Sequence, residues 1–414
     1  MKYQQDLEGH GMARLEHRPE MDLPSYKYPD SSFFSDNFGK TLISSIIRRD
    51  ACNFPILLGT QLDVHVEDMF DQPNLLVGGT TGSGKTQFLY NQIAFWLCYK
   101  HPSRLKFVFF GSKTVDYHMF SKLKYHFCCG TGVENEIVNP SDFCSTLKAL
   151  ICEVDRRIQM FTLASVKTIK EYNGLIEKQL LNPNSGHCFL PDIAVIIDDL
   201  YNFCYNEDSS DLLILLTQRN LYTGVYVLAA TSQVNSSTIS KQLRSNFIFR
   251  AAFRLLTQSD SKQILNDIGA DKLDSPGELI FNFKGTLRKA RQPIVEYQHL
   301  LKLVNFIGCQ IGYSHPYQLY NPDARLNIDF SQLDSTVEDA ARLVVMHQQG
   351  STSLIQRKLK LGYNRAGRII DQLEAIGVVG PFEGSKAREV LIEDDYALEL
   401  LLNKFRDIQS QSKK

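Results

Sequence analysis

Short apolar runs alternate with longer amphipathic stretches over the first three quarters of this chain. Runs of strand length fall at 54–58, 74–78, 107–110, 193–197, 225–230, 247–253 and 278–283. Helical spacing fills intervals at 39–49, 85–100, 141–162 and 212–216, with Phe88, Leu89, Ala94, Phe95 and Leu97 as apolar positions of the second. Short apolar strands separated by longer helical patterns predict an α/β fold: a mostly parallel sheet with helices on both faces.

Residues 1–54 are weakly patterned, and Pro19, Pro24 and Pro29 interrupt helical readings, so an irregular N-terminal arm is expected. The pattern fades again over 296–334, where Pro316, Pro322 and several Asn, Tyr and Asp residues read as a linker. Helical spacing resumes at Thr336. The expected organisation is an arm (1–54), a body (55–295), a linker (296–334), a second domain (335–396) and a tail (397–414). No stretch approaches the roughly 20 apolar residues that span a bilayer. The N-terminus lacks the basic-then-apolar layout of a signal peptide.

Composition narrows the picture further. Apolar residues make up 43 % and charged residues 22 %, as in ordinary globular chains. A net charge of -1 and a pI of about 6.8 exclude a histone-like protein coated in positive charge, but a local basic patch suffices for nucleic acid. The nine cysteines form no C-x-x-C pair, and several lie in apolar runs. They read as reduced thiols of a cytoplasmic protein. Only the adjacent Cys128 and Cys129 suggest a metal or redox site.

Gly79-Thr80-Thr81-Gly82-Ser83-Gly84-Lys85-Thr86 fits G-x-x-x-x-G-K-[ST]. It follows an apolar strand and opens a helix, so its amides would cradle phosphate oxygens at the positive end of the helix dipole. Lys85 would reach the β- and γ-phosphates of ATP, and Thr86 would coordinate Mg²⁺. Further on, Ile193-Ala194-Val195-Ile196-Ile197 runs into Asp198-Asp199. Asp198 is expected to hold the metal. Asp199 stands where many motor ATPases place a Glu to orient the attacking water, and its side chain is about 1.5 Å shorter. A ligand-free glycine turn and a plain acidic turn are the structural alternatives; the strand before and helix after count against the first, and the P-loop upstream counts against the second. Thr231, Ser232 and Gln233 end a neighbouring strand and could sense the γ-phosphate.

Residues 356–368 carry Arg357, Lys358, Lys360, Arg365 and Arg368 and no acid. A short helix at 353–358, a turn at Leu361-Gly362-Tyr363 and a helix at 364–376 are predicted. Ala366, Ile369, Ile370 and Leu373 share one face of the last helix, and Asn364, Arg368 and Asp371 project from the other. This is a helix-turn-helix, with its second helix suited to a major groove. Segments 378–382 and 388–392, around Gly384-Ser385-Lys386, would make the strands of a wing. Arg357, Lys358, Asn364, Arg365, Arg368 and Asp371 are the expected DNA-binding residues: Arg pairs with guanine edges, Asn with adenine, and an acid accepts from cytosine. A solvated basic face on a protein-binding module fits the same pattern.

Together these pieces resemble the motor and γ domains of FtsK/SpoIIIE DNA translocases. NLLVGGTTGSGKT (74–86) is similar to the family's P-loop, and LPDIAVIIDDL (190–200) to its Walker B strand. EVDRR (153–157) with Tyr172-Asn173 resembles E-M-E-R-R…Y-N. SDSKQIL (259–265) and GADKLDSPGEL (269–279) resemble D-S-R-T-I-L and G-A-x-x-L-x-x-x-G-D-M-L. LGYNRAGRIIDQLEAIGVV (361–379) is very close to I-G-Y-N-R-A-A-R-I-I-E-Q-M-E-x-x-G-I-V.

The resemblance covers roughly 55–295 and 335–395. It implies a RecA-like ATPase that assembles as a hexameric ring around double-stranded DNA. It also implies a winged-helix γ domain that reads an orienting sequence through the positions matching Asn364, Arg368 and Asp371. The family's membrane-spanning N-terminus and most of its α domain find no counterpart, leaving 1–54 as a remnant. Several positions depart from the pattern. The Walker B Glu is Asp199. The Arg of A-R-A-A-G falls on Leu221, leaving Arg219, Arg250 and Arg254 as candidates for a finger reaching a neighbouring subunit. A-T-Q-R-P is Ala230-Thr231-Ser232-Gln233-Val234, and D-P-K is Gly111-Ser112-Lys113. Each change touches hydrolysis or its coupling between subunits.

The expected function is ATP-dependent translocation of double-stranded DNA, with any membrane-bound or recombinase partner unknown. Two other readings stay open. One is an ATP-binding DNA adaptor or switch with weakened hydrolysis. The other is a coupling ATPase of a DNA-transfer or secretion system, which usually carries its own membrane anchor.

Overall fold

In the computed structural model of the chain, five of the apolar runs pair in parallel and a sixth turns back against them. The structure describes residues 26–29, 37–45, 52–60, 63–111, 117–130, 143–182, 187–204, 207–233, 240–313, 316–319, 334–376, 378–380, 387–390, 392, 398–399 and 402. Its strands are β1 (Pro55–Leu57), β2 (Val66–Asp68), β3 (Asn74–Gly78), β4 (Leu105–Gly111), β5 (Cys129–Gly130), β6 (Asp192–Asp198), β7 (Val225–Thr231), β8 (Phe249–Ala252), β9 (Glu278–Phe283), β10 (Thr286–Arg291) and β11 (Tyr317–Gln318). Its α-helices are α1 (Asn37–Ser44), α2 (Lys85–Leu97), α3 (Phe143–Leu163), α4 (Ile169–Glu177), α5 (Glu207–Arg219), α6 (Lys241–Asn246), α7 (Gln258–Leu265), α8 (Tyr297–Gly308), α9 (Val337–His347), α10 (Thr352–Leu359) and α11 (Tyr363–Ala375). One unit runs from Arg18 to Asn321, and the other takes up the chain from Pro322.

The main sheet has the order β10-β9-β8-β3-β7-β6-β4. Strands β8, β3, β7, β6 and β4 are mutually parallel, and β9 and β10 run antiparallel to their neighbours. Side chains on a strand alternate between faces, and along the five parallel strands both faces are buried. From β7, Tyr226, Leu228 and Ala230 enter one core, while Val225, Val227 and Ala229 enter the other. From β6, Ala194 and Ile196 face the first core, and Ile193, Val195 and Ile197 the second. Helices α2 and α8 contribute to the first core, and α3, α5 and α7 to the second. Each fully buried Leu, Ile or Phe stabilises the fold by roughly 1.5–3 kcal/mol.

The stretch expected as a linker is largely part of this unit. In α8, Leu300, Leu303, Val304 and Ile307 recur at helical spacing and are buried in the first core. Beyond it, β11 pairs in parallel with β5, and a Phe107–Cys128 bridge brings that pair to β4. Residues 296–313 and 316–319 therefore close the body rather than connect it; 320–333 lie outside the described residues. Strand β10 also escaped the sequence pattern. It pairs with β9 through a two-residue turn in which Lys284 (φ 52°) and Gly285 (φ 78°) are both left-handed, the backbone that matches strand twist in a tight hairpin.

Glu153 on α3 ties several of these elements together. It is 2 % exposed and accepts hydrogen bonds from Arg156 Nε and Arg157 Nε, each at 2.8 Å, and from the Tyr317 hydroxyl at 3.1 Å. Arg157, fully buried, also donates to the carbonyls of Thr223 and Pro191 at 2.8 Å. One carboxylate thus joins α3 and β11 to the residues leading into β7 and β6. Burial pushes the Glu153 carboxyl up, but the Arg156 and Arg157 charges outweigh it and hold it at about 2, against an ordinary 4.5.

The second unit packs α9, α10 and α11 around one core that includes Val344, Ile355, Ile369 and Leu373. Of the expected wing, the described residues hold one antiparallel bridge between its two segments, Val379–Val390, and a second, Gly350–Arg388, ties the later segment to the turn between α9 and α10. The turn at Gly384-Ser385-Lys386 lies outside the described residues, as do residues 1–25 of the arm. Among the described residues, no helix is long and apolar enough to cross a membrane, and no group of His, Cys, Asp and Glu is arranged to hold a metal. Burial pushes the Cys128 thiol up to about 12, which keeps it protonated at neutral pH.

Replacing Glu153 by Ala strands a buried Arg157, so Glu153→Ala is expected to destabilise the body by about 3–5 kcal/mol in urea unfolding at pH 7. Because its folded pKa is depressed, the stability Glu153 contributes is complete above its ordinary 4.5 and fades as pH falls toward 2. The gap between wild type and Glu153→Ala should therefore narrow across that window.

Candidate nucleotide site and nucleic-acid interface

The P-loop, the acidic strand end and the end of β7 meet at the carboxyl edge of the parallel sheet, where open α/β sheets place their ligands. Residues 79–84 leave β3 and turn into α2 with Gly82 at φ 79° and Gly84 at φ 116°. A side chain at Gly79 would bring a Cβ to 2.5 Å from Ser83 Oγ and 2.9 Å from Phe253 Cβ, so only glycine fits. The loop is tethered from outside: Gly79 N donates to Thr231 O at 3.3 Å and Thr80 N to Arg254 O at 2.9 Å. Gln292 Nε2 donates to Gly84 O at 3.1 Å. Gly84 gives α2 no side-chain cap, which leaves its first amides for an anion. Thr81 is exposed beside them.

Lys85 is buried and donates Nζ to Gly79 O at 2.8 Å and Thr80 O at 2.9 Å. Burial pushes its ammonium below the ordinary range, while Asp199 and Asp198 pull it back up. Thr86 Oγ1 donates to Asp198 Oδ2 at 3.0 Å. Burial also raises the Asp198 carboxyl, against the Thr86 hydrogen bond and the Lys85 charge. These groups fit a magnesium nucleotide. The Ser83 hydroxyl is buried without a partner among the described residues, the lysine is satisfied only by the loop's own carbonyls, and the hydroxyl–carboxylate pair supplies hard oxygen donors. Asp199 follows at φ 67°, ψ 77°, and Ser232 Oγ lies 3.1 Å from its Oδ2 and 3.3 Å from its Oδ1. That contact had no counterpart in the sequence reading, where Ser232 was expected near phosphate.

The three finger candidates separate. Arg250 is buried and donates to the carbonyls of Phe247, Ile264 and Arg244; it braces β8 and α7 and cannot reach a neighbour. Arg254 is exposed and stands beside its own P-loop through its carbonyl. Arg219 is exposed, ends α5 at the opposite edge of the sheet, and pairs with Asp155 at 2.7 Å. Leu221 is also exposed. Ser112 and Lys113 lie outside the described residues.

In the second unit, Arg357, Lys358, Lys360, Asn364, Arg368 and Asp371 are all exposed along α10, its turn and α11. Arg365 differs. Its Nε and Nη2 bind Asp334 at 2.7 and 2.8 Å, so it clamps the start of the unit, and the guanidinium hydrogen bond holds the Asp334 carboxyl well below the usual range. Asp371 is held by the buried Arg388, whose Nη2 lies 2.6 Å from Oδ1 and whose Nη1 reaches Glu374 at 2.5 Å. Neither brace was visible in the residue spacing.

Comparison with known proteins agrees with both halves. Residues 331–393 match the Ftsk gamma domain. The DNA translocase FtsK of Chlorobaculum tepidum is 31 % identical over 372 residues, covering 86 % of this chain and 45 % of that protein. The DNA translocase FtsK of Bacillus cereus is 29 % identical over 394 residues, covering 92 % and 49 %. The chain therefore spans less than half the length of each. Among solved structures, the cytoplasmic domain of the type VII secretion ATPase EccC of Thermomonospora curvata has the same fold at a TM-score of 0.52 and 18 % identity, covering 65 % of this chain and 32 % of that one. The pCW3 conjugation coupling protein TcpA, in its monomer form with ATPγS, gives 0.50 and 17 %, covering 69 % and 75 %. The FtsK/SpoIIIE model itself matches residues 42–273, more than half of the sequence, and the chain belongs to the FtsK/SpoIIIE family.

Proposed function

We propose that this chain is an ATP-driven translocase of double-stranded DNA that works as a ring, hexameric as the family resemblance implies, with its γ unit orienting it on sequence. The observation that carries this reading is the Thr86–Asp198 hydrogen bond, which brings the P-loop and the acidic strand end to 3.0 Å across 112 residues of sequence. The FtsK relatives named above as DNA translocases support it. A cytoplasmic setting suits the nine free cysteines.

Lys85 would leave the Gly79 and Thr80 carbonyls for the β- and γ-phosphates. Thr86 and Asp198 would hold Mg²⁺, which when bound neutralises charge across the β- and γ-oxygens. Asp199 would orient the attacking water. Arg219, far from its own P-loop, is the better-placed arginine to serve a neighbouring copy. In the γ unit, Asn364 and Arg368 would read base edges, and Arg357 and Lys358 would bind phosphates. Asp371 keeps its second oxygen for a base edge. Arg365 supports the unit through Asp334.

Steady-state ATP hydrolysis with and without long duplex DNA tests the motor. Stimulation by DNA that Lys85→Ala abolishes is the expected result. Tight ATP binding without turnover would instead favour a switch. Arg368→Ala should lose about 1–3 kcal/mol of discrimination at one base pair, measured by binding to a panel of duplexes. Equal weakening on every duplex would make Arg368 a phosphate contact.

A further inference from the structure

Asp199 sits in the left-handed backbone region, which costs a non-glycine residue about 1–3 kcal/mol and which Asp enters more readily than bulkier side chains. Such a conformation persists only where its surroundings hold it. The contact that holds the side chain is Ser232, whose hydroxyl lies 3.1 and 3.3 Å from the two carboxylate oxygens. Ser232 is itself well fixed. The preceding residue, Thr231, accepts from Gly79 N through its carbonyl at 3.3 Å. Its side-chain hydroxyl donates to Gln233 O at 2.8 Å and accepts from Gln233 N at 3.2 Å. The residues flanking Ser232 are thus pinned to the P-loop on one side and to a tight turn on the other.

We propose that Ser232 is a positioning residue for ATP hydrolysis, and that Asp199 and Ser232 form a matched pair. A hydroxyl carries one proton, so it engages one lone pair of the carboxylate and leaves the others for the attacking water. Ser232 takes no proton and forms no covalent bond in this role. Two departures from the family pattern, Asp for Glu at 199 and Ser for Gln at 232, become a single change: a shorter acid held by a shorter partner. Glu at 199 without a change at 232 would push a longer side chain into a space set for Asp. The inference rests on the reading of this site as one that hydrolyses ATP.

The test is kcat and KM for ATP on the full chain with duplex DNA, for wild type, Ser232→Ala, Ser232→Thr, Asp199→Glu and the double variant Asp199→Glu/Ser232→Gln. Ser232→Ala should lower kcat about tenfold, with KM moving by less than about twofold, and Ser232→Thr, which keeps the hydroxyl, should recover most of the loss. Asp199→Glu should also fall, and the double variant should exceed it. Thermal melting and ATPγS binding of each variant separate misfolding from a kinetic defect. Wild-type kcat in Ser232→Ala, or a double variant no better than Asp199→Glu, overturns the pairing while leaving the hydrolysis reading intact. A wild-type protein without turnover overturns that reading and the role of Ser232 with it.

Discussion

The backbone ladder joining β3, β7 and β6 sets Gly78 opposite Thr231 and Ile197 opposite Ala229. Because the three strands are parallel and in register, their carboxyl ends finish level. The P-loop, Asp198, Asp199 and Ser232 all lie just past those ends. A slip of one residue in β6 would turn its side chains to the opposite face, and Asp198 would no longer meet Thr86. Burial of both faces is what forbids the slip, since Ile193, Val195 and Ile197 belong to one core and Ala194 and Ile196 to the other. The chemistry at the edge is therefore held by packing some distance from it.

The two charged clusters of the body behave differently. Around Glu153, one carboxylate is shared by Arg156 and Arg157, and Arg157 directs its remaining donors to the Thr223 and Pro191 carbonyls, so the cluster is bonded within the fold. At the P-loop, Lys85 is bonded only to the carbonyls of its own loop, Thr86 and Asp198 face one another, and the Ser83 hydroxyl has no partner among the described residues. Burial raises the stakes in both. In one it makes a brace rigid; in the other it leaves polar groups whose satisfaction depends on a ligand. The γ unit repeats the contrast on a small scale, with Arg388 and Arg365 tied to acids and Asn364 and Arg368 facing solvent.

Much of this was legible in the residues. Runs such as 193–197 have the length and the flanking breaks of strands buried on both faces, and i, i+3, i+4 spacing marks the inner face of α11. The helix α8 was equally periodic, through Leu300, Leu303, Val304 and Ile307, but the prolines and polar residues after it drew the whole stretch into a linker. Strand β10 was hidden because five of its six side chains are exposed and three of those are charged, a pattern that turns read equally well. Contacts between residues distant in sequence left no local signal. The Ser232–Asp199 pair spans 33 positions and Arg365–Asp334 spans 31. Arg250 reads like any surface arginine until the fold buries it.

The placement of α8 and β11 has a bearing on how the chain is made. The first face of the sheet acquires Leu300, Leu303, Val304 and Ile307 only after all seven main strands have been synthesised. Glu153 lacks its Tyr317 partner until later still. A nascent chain leaving the ribosome therefore carries an exposed apolar surface over α2 and residues 118–123 until α8 emerges to cover it. Chains in that state are prone to aggregate, so the last twenty or so residues of the body act as the closing segment of its assembly. The helical unit that follows draws its described core from residues of its own and needs no such wait.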